Sequence, residues 1–171
     1  MASILQVETL QGLTSGSNAN TVIVPSGQTL KANGHIMQMQ SYQISSGTTA
    51  QATSLIPTAI TFTIDNVKAD SILAIQISVQ DLIETGGYQY ARLYSNTKSA
   101  YVTDEWIQRQ TSGNAGWRGV LATSTHQISG SSSVSAGSNT FTLYMRSNHG
   151  SSWYINYNGG SSFVNVWEIA Q

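Results

Sequence analysis

The residues of this chain that could do chemistry are few and scattered. Its 171 residues hold eight carboxylates, seven lysines and arginines, and three histidines. His35, His126 and His149 lie far apart, and none has a partner at the i+2, i+3 or i+4 spacing of a local metal site. They read as plain polar or loop histidines. Serine is abundant, but no GxSxG elbow is present and no spacing supplies a base with an orienting acid. Asp104 and Glu105 are the only adjacent acidic pair. Folding could bring two carboxylates to glycosidase separation, yet Asp65, Asp70, Asp104 and Glu105 fall at expected turns or strand ends, where such residues are structural. Neither GxxxxGK[ST] nor a strand–GxGxxG–helix pattern occurs. The expectation is a protein that is not an enzyme and uses no metal or cofactor.

What remains is recognition chemistry. In "GYQYARLYS" alternation puts Tyr88, Tyr90, Arg92 and Tyr94 on one face of a strand and Gln89, Ala91 and Leu93 on the other. Tyr and Arg combine broad, fairly rigid contact area with a polar handle, which suits a binding surface. The same face could instead be core or subunit interface with its hydroxyls satisfied. Two aromatic loops, "TDEWIQRQ" and "NAGWRG", set Trp106 near Arg109 and Trp117 beside Arg118. Exposed there, the indoles would stack on sugar faces; buried, they would plug the end of a sandwich. Glu168, inside the apolar "VNVWEIA", is either a hydrogen-bonded glutamate or an ion-pair partner of Arg92, Arg118 or Arg146.

The elements that must position these residues are strands. Period-two alternation recurs and helical periodicity is almost missing. "SILAIQISVQ" points Leu73, Ile75, Ile77 and Val79 one way; "AITFTID" does so with Ile60, Phe62 and Ile64, and "NTFTLYMRS" with Phe141, Leu143 and Met145 against Thr142, Tyr144 and Arg146. Further strands are expected in "HIMQMQSYQI", "YQYARLYS", "WRGVLATSTHQI", "SWYINYN" and "FVNVWEI", with turns such as "SGNAG" and "NGGSS" between them. "SGSSSVSAGS" (129–138) reads as a long loop rather than a linker. The final stretch reads as a hairpin turning at Gly159 and Gly160. The fold class is therefore all-β: an extended N-terminal arm with short strands over 1–33, then an antiparallel, jelly-roll-like β-sandwich knob over 34–171.

Composition narrows the partners. Only 9% of residues are charged, against roughly a quarter in typical domains, so Ser, Thr, Asn, Gln and Gly must solvate the surface. A net charge of -1 without a basic cluster excludes nucleic acid and an anionic membrane surface as partners. No stretch approaches the ~20 apolar residues of a span, and the start lacks a signal-like apolar region, so a soluble chain is expected. Cysteine is absent.

Residues 1–33 hold too few large apolar side chains to offset the ordering entropy of their backbone alone, so this arm needs another surface. Its opening "SILQVETLQG", then "VIVPSGQTLKANGHIMQMQSYQ", "SILAIQISVQ", "YARLYS" and the closing "VWEIAQ" together resemble virion structural proteins of tailed bacteriophages, especially small tail-fibre and head-fibre proteins of aquatic phages. The resemblance implies a virion protein assembled in the host cytoplasm. It also implies an arm (Ile4, Leu5, Val7, Leu10, Val22, Val24, Pro25, Leu30) docking on other virion proteins, and a trimeric knob with Ile75, Ile77, Phe163, Val166 and Ile169 in its core. The expected role is host attachment, with a host-surface glycan as candidate ligand of Tyr88, Tyr90, Arg92, Tyr94, Trp106, Arg109, Trp117 and Arg118. Phe163, Val164, Val166 and Trp167 are the candidate subunit interface. A capsid decoration or cement protein, or a free lectin-like module, are the alternatives.

Overall fold

The structure, a computed structural model, describes residues 34–83, 87–111, 120–148 and 152–171, a few of them as backbone only. The arm residues Ile4, Leu5, Val7, Leu10, Val22, Val24 and Leu30, together with Trp117, Arg118 and His149, lie outside the described residues.

Eleven strands are described: β1 (Ile36–Ile44), β2 (Thr48–Ala50), β3 (Ile56–Val67), β4 (Ile72–Ile83), β5 (Gly87–Ser95), β6 (Ala100–Tyr101), β7 (Trp106–Thr111), β8 (Val120–Ile128), β9 (Gly137–Ser147), β10 (Trp153–Ile155) and β11 (Ser162–Ile169). All pairings are antiparallel, in two sheets. Several short strands lie in line with one another. β10 and β11 both run antiparallel to β4, with Trp153 opposite Ile83 and Phe163 opposite Ser78; β1 and β2 lie alongside them on the outer edge. β6 and β7 likewise share one edge of β5. Merging these, the first sheet reads β1/β2, β10/β11, β4, β8 and the second β3, β9, β5, β6/β7. Counted along the chain, position 1 pairs with 8, 2 with 7, 3 with 6 and 4 with 5, which is the nested pairing of a jelly roll.

The alternating strands form the core as expected. Leu73, Ile75, Ile77 and Val79 of β4 face Ile60, Phe62 and Ile64 of β3, Ala91 and Leu93 of β5, and Phe141, Leu143 and Met145 of β9, all buried. Each such large apolar side chain contributes about 1.5–3 kcal/mol relative to leaving it exposed. Tyr42, Phe62 and Phe141 carry an aromatic run through this layer, with centroids 5.9 and 5.6 Å apart. The Tyr42 hydroxyl donates to the Thr63 carbonyl and so ties the edge strand β1 to β3.

The closing segment is not a hairpin. Asn156 and Asn158, at φ 52° and 53°, and Gly159 at +83° turn the chain out and back, so that β11 resumes on the line of β10. Asn156 holds this detour. Its backbone N–H donates to Gln80 O at 2.9 Å, and its Nδ2 donates to Ile44 O and Ser46 O at 2.7 and 2.8 Å, the carbonyls freed where β1 breaks before β2. Gly160 leaves room for β4, since a Cβ there would fall on the Gln80 amide. β11 is apolar on both faces, but only one is core. Val164 and Val166 are buried within this chain, whereas Phe163 is exposed and Trp167 and Ile169 are half-buried on the outer face, so Phe163 and Ile169 do not belong to the core the resemblance implied.

Glu168 is 1% exposed and is a hydrogen-bonded glutamate, with no arginine paired to it among the described residues. Its Oε1 accepts from the Lys68 N–H at 2.7 Å and the Ser71 hydroxyl at 2.6 Å, and its Oε2 from Gln38 Nε2 at 2.7 Å. One carboxylate thus joins β11, the β3–β4 turn and β1. The expected 129–138 loop ends where β9 begins at Gly137, and what precedes it is built: Ser133 and Val134 N–H groups donate to Gly130 O, Val134 is buried, and Asn139 Oδ1 accepts from Ser135 N–H at 2.8 Å. Glu168→Ala leaves the Ser71 hydroxyl and the Lys68 N–H without their acceptor and should cost about 3 kcal/mol. Denaturant unfolding should show this as a lower midpoint at an unchanged slope; a midpoint equal to wild type would remove the glutamate from this role.

Candidate functional site

Fixing Gln89, Ala91 and Leu93 in the core forces their neighbours outward, and Tyr88, Tyr90, Arg92 and Tyr94 are half-exposed on the outer face of the second sheet. Strand pairing enlarges the group. β9 brings Arg146 opposite Tyr90, Tyr144 opposite Arg92 and Thr142 opposite Tyr94, while β6 brings Tyr101 opposite Tyr94. Tyr94, Tyr101 and Tyr144 meet as three rings with centroids 5.1 to 5.5 Å apart, two of the contacts edge-on. Tyr88 and Tyr90 stand 6.1 Å apart beside them. Beyond the rings, Thr61 and Thr63 of β3 bond hydroxyl to hydroxyl with Thr142 and Thr140 of β9 at 3.0 and 2.8 Å, continuing a polar face to the sheet edge.

Both arginines lie on rings, at distances where a guanidinium is attracted by the ring face. Arg146 Cζ is 4.3 Å from the Tyr90 centroid, and its Nε and Nη2 donate to the two oxygens of Glu105 at 3.0 and 2.5 Å. Arg92 Cζ is 4.5 Å from the Tyr101 centroid, and its Nε donates to Thr103 O at 2.7 Å. The bond from Arg146 holds the Glu105 carboxyl below its usual range. Desolvation, helped by Tyr144 and opposed by Arg92, pushes the Tyr101 phenol up, so it remains a hydroxyl. The hydroxyls of Tyr88, Tyr90, Tyr94, Tyr101 and Tyr144 make no hydrogen bond within the described residues.

Other expected members are elsewhere. Trp106 is not in a loop: it opens β7, opposite Ala91, and is half-buried on the inner side against the core. Its ring lies 4.0 Å from that of His126 on β8, closing the open edge between the sheets, and burial lowers the His126 pKa. Arg109 is in β7, but its side chain is outside the described part. Tyr101 and Tyr144 were not singled out from the sequence. The outward position of Tyr144 was readable from alternation in β9, but its meeting with Tyr94 and Tyr101 depends on pairing across β5, β6 and β9.

Two other surfaces are notable. The outer face of the first sheet carries Ile36, Met39 and Phe163, 58%, 59% and 43% exposed, around a polar ladder from Ser41 through Asn165 to Gln76. At one end of the sandwich a polar cleft of about 370 Å³ is lined by Asp70, Ser71, Lys98, Ser131 and Ser135 among others. Among the described residues no group of three or more His, Cys, Asp or Glu side chains is placed to hold a metal ion, and no helix is long and apolar enough to cross a membrane.

No protein-family model matches the chain, and no curated protein matches it in sequence. Solved structures do resemble it in fold. T=1 particles derived from infectious bursal virus align over 88% of this chain and 40% of theirs, at 12% identity and a TM-score of 0.46. The Gt strain of infectious bursal disease virus aligns over 99% and 47%, at 13% and 0.45. The C-terminal domain of EclA, a sugar-binding protein, aligns over 88% and 92%, at 10% and 0.37. The chain thus spans less than half the length of those viral chains. Similarity at this level assigns it no function.

Acidification should destabilise the protein in two windows. The half-buried His126 has a folded pKa below its unfolded value near 6.5, so the unfolded state binds its proton first and stability falls as pH drops below that value. The Glu105 pKa is depressed below 4.5, so its contribution is whole above 4.5 and is lost as pH falls through the folded value. Melting curves across pH should show the upper window vanish in His126→Gln and the lower one shrink in Glu105→Gln. The second effect is at most about 1 kcal/mol, as for other partly exposed ion pairs.

Proposed function

We propose that the chain is a non-enzymatic virion appendage protein of the tailed-phage fibre type, whose knob adheres to a host-surface glycan through the tyrosine–arginine face of the second sheet. The observation that carries this reading is that face itself. In a protein with only 9% charged residues, five tyrosines whose hydroxyls make no hydrogen bond within the described residues and two ring-stacked arginines gather on one outward surface. Flat apolar rings edged with donors and acceptors match the alternating C–H and O–H surfaces of pyranose rings. In this reading residues 1–33 dock on other virion proteins and the knob is a homotrimer, so that weak sites gain affinity by repetition. The viral particles and the sugar-binding domain among the similar folds are compatible with it and do not carry it.

Binding to a glycan array should fall at least about tenfold in Tyr94→Ala and in Tyr144→Ala, the loss expected of central aromatic contacts. Full retention in both folded variants would count against the face.

The exposed apolar group on the first sheet favours a second contact. Of the four residues expected at a subunit interface, Val164 and Val166 are internal, which leaves Phe163 and Trp167 with Met39 and Ile36 beside them. Light scattering should give three copies for wild type and a smaller species for Phe163→Asp. If wild type is monomeric, this face belongs to a contact with another virion protein, as in a cement protein.

A further inference from the structure

The two arginines of the tyrosine face are not equivalent. Arg146 is committed, since its guanidinium takes both Glu105 oxygens and covers Tyr90. Arg92 is held from one side only: Nε is fixed on Thr103 O at 2.7 Å, and the plane rests 4.5 Å from the Tyr101 centroid. Thr103 is itself fastened, its Oγ1 accepting from the Leu93 N–H at 3.0 Å. Among the described residues neither terminal amino group of Arg92 has an acceptor and no carboxylate forms an ion pair with it, although the Glu105 charge acts on it from nearby. Glu105 is taken by Arg146, and the exposed Asp104, next to Thr103 in sequence, forms no ion pair with Arg92. The side-chain entropy that an arginine normally loses on binding is therefore largely lost already, and the open Nη1–Nη2 edge still offers a carboxylate two parallel N–H donors. Arg92 lies over Tyr101 and opposite Tyr144 in the paired strand, and the rings and hydroxyls of Tyr94, Tyr101 and Tyr144 can hold an adjoining sugar.

We infer that the ligand of this face is an acidic saccharide, with Arg92 reading the carboxylate of a uronic- or sialic-type sugar and the three tyrosines holding the neighbouring pyranose. The inference rests on the adhesive reading above and sharpens it from glycan to acidic glycan. A neutral glycan would leave the prepared edge of Arg92 unused.

The test is titration calorimetry of the full chain with a panel of uronate and sialylated oligosaccharides, each beside its carboxyl-reduced neutral counterpart. At least one acidic member should bind about tenfold or more tighter than its neutral counterpart, with a preference that weakens as salt rises. Arg92→Gln should abolish the preference, and Arg92→Lys, which keeps the charge and the stem but not the planar fork, should keep only part of it. Melting curves of both variants establish that they are folded. Equal binding of acidic and neutral members, or a preference intact in folded Arg92→Gln, would overturn the inference while leaving the glycan reading standing. Absence of binding by every member would overturn both.

Discussion

The structure depends on a register constraint imposed by the core between its two sheets. Along β5 and β9 the side chains alternate strictly, so burying Ala91, Leu93, Leu143 and Met145 fixes where every other residue points. A slip of one residue in either strand would carry Tyr and Arg side chains into the core. The tyrosine–arginine face is thus held in place by the hydrophobic interior behind it.

The low charge content shapes the rest. With few charged residues to draw on, the chain closes its edges and turns with neutral side-chain hydrogen bonds: Asn156 across the break between β1 and β2, Asn139 of β9 back to Ser135 in the loop before it, and threonine pairs across β3 and β9. The buried carboxylate of Glu168 is tolerated because three donors surround it. Such polar fastenings leave both cations with described side chains on the strands, Arg92 and Arg146, free of any role in joining the sheets.

Much of this was legible from local pattern. Alternation located β3, β4, β5 and β9, their inward residues, and the outward set on β5, because the period of a half-buried strand is written in consecutive residues. What depended on neighbours across the sheet was not. The segment from Trp153 to Ile169 carries a glycine pair that suits a hairpin, yet both halves find β4, and Asn156 spends its side chain on the break in the adjacent strand. Trp106 looked like a loop residue until pairing with β5 placed it on the inner side. Val164 and Val166 were indistinguishable from Phe163 and Trp167 by composition, since β11 is apolar on both faces and only its position beside β4 says which one is core. Tyr101 and Tyr144 joined the face through strands far apart in the chain, a distance over which no local spacing carries information.

The central claim is that the outer face of the second sheet is the one the protein presents to its ligand. Hydroxyl-radical footprinting, read residue by residue on the protein free and bound to its host surface, tests it most directly. Tyr88, Tyr90, Tyr94, Tyr101 and Tyr144 should be protected, with Met39 on the opposite face oxidised equally in both states. Protection of Met39 with the five tyrosines unchanged would contradict it.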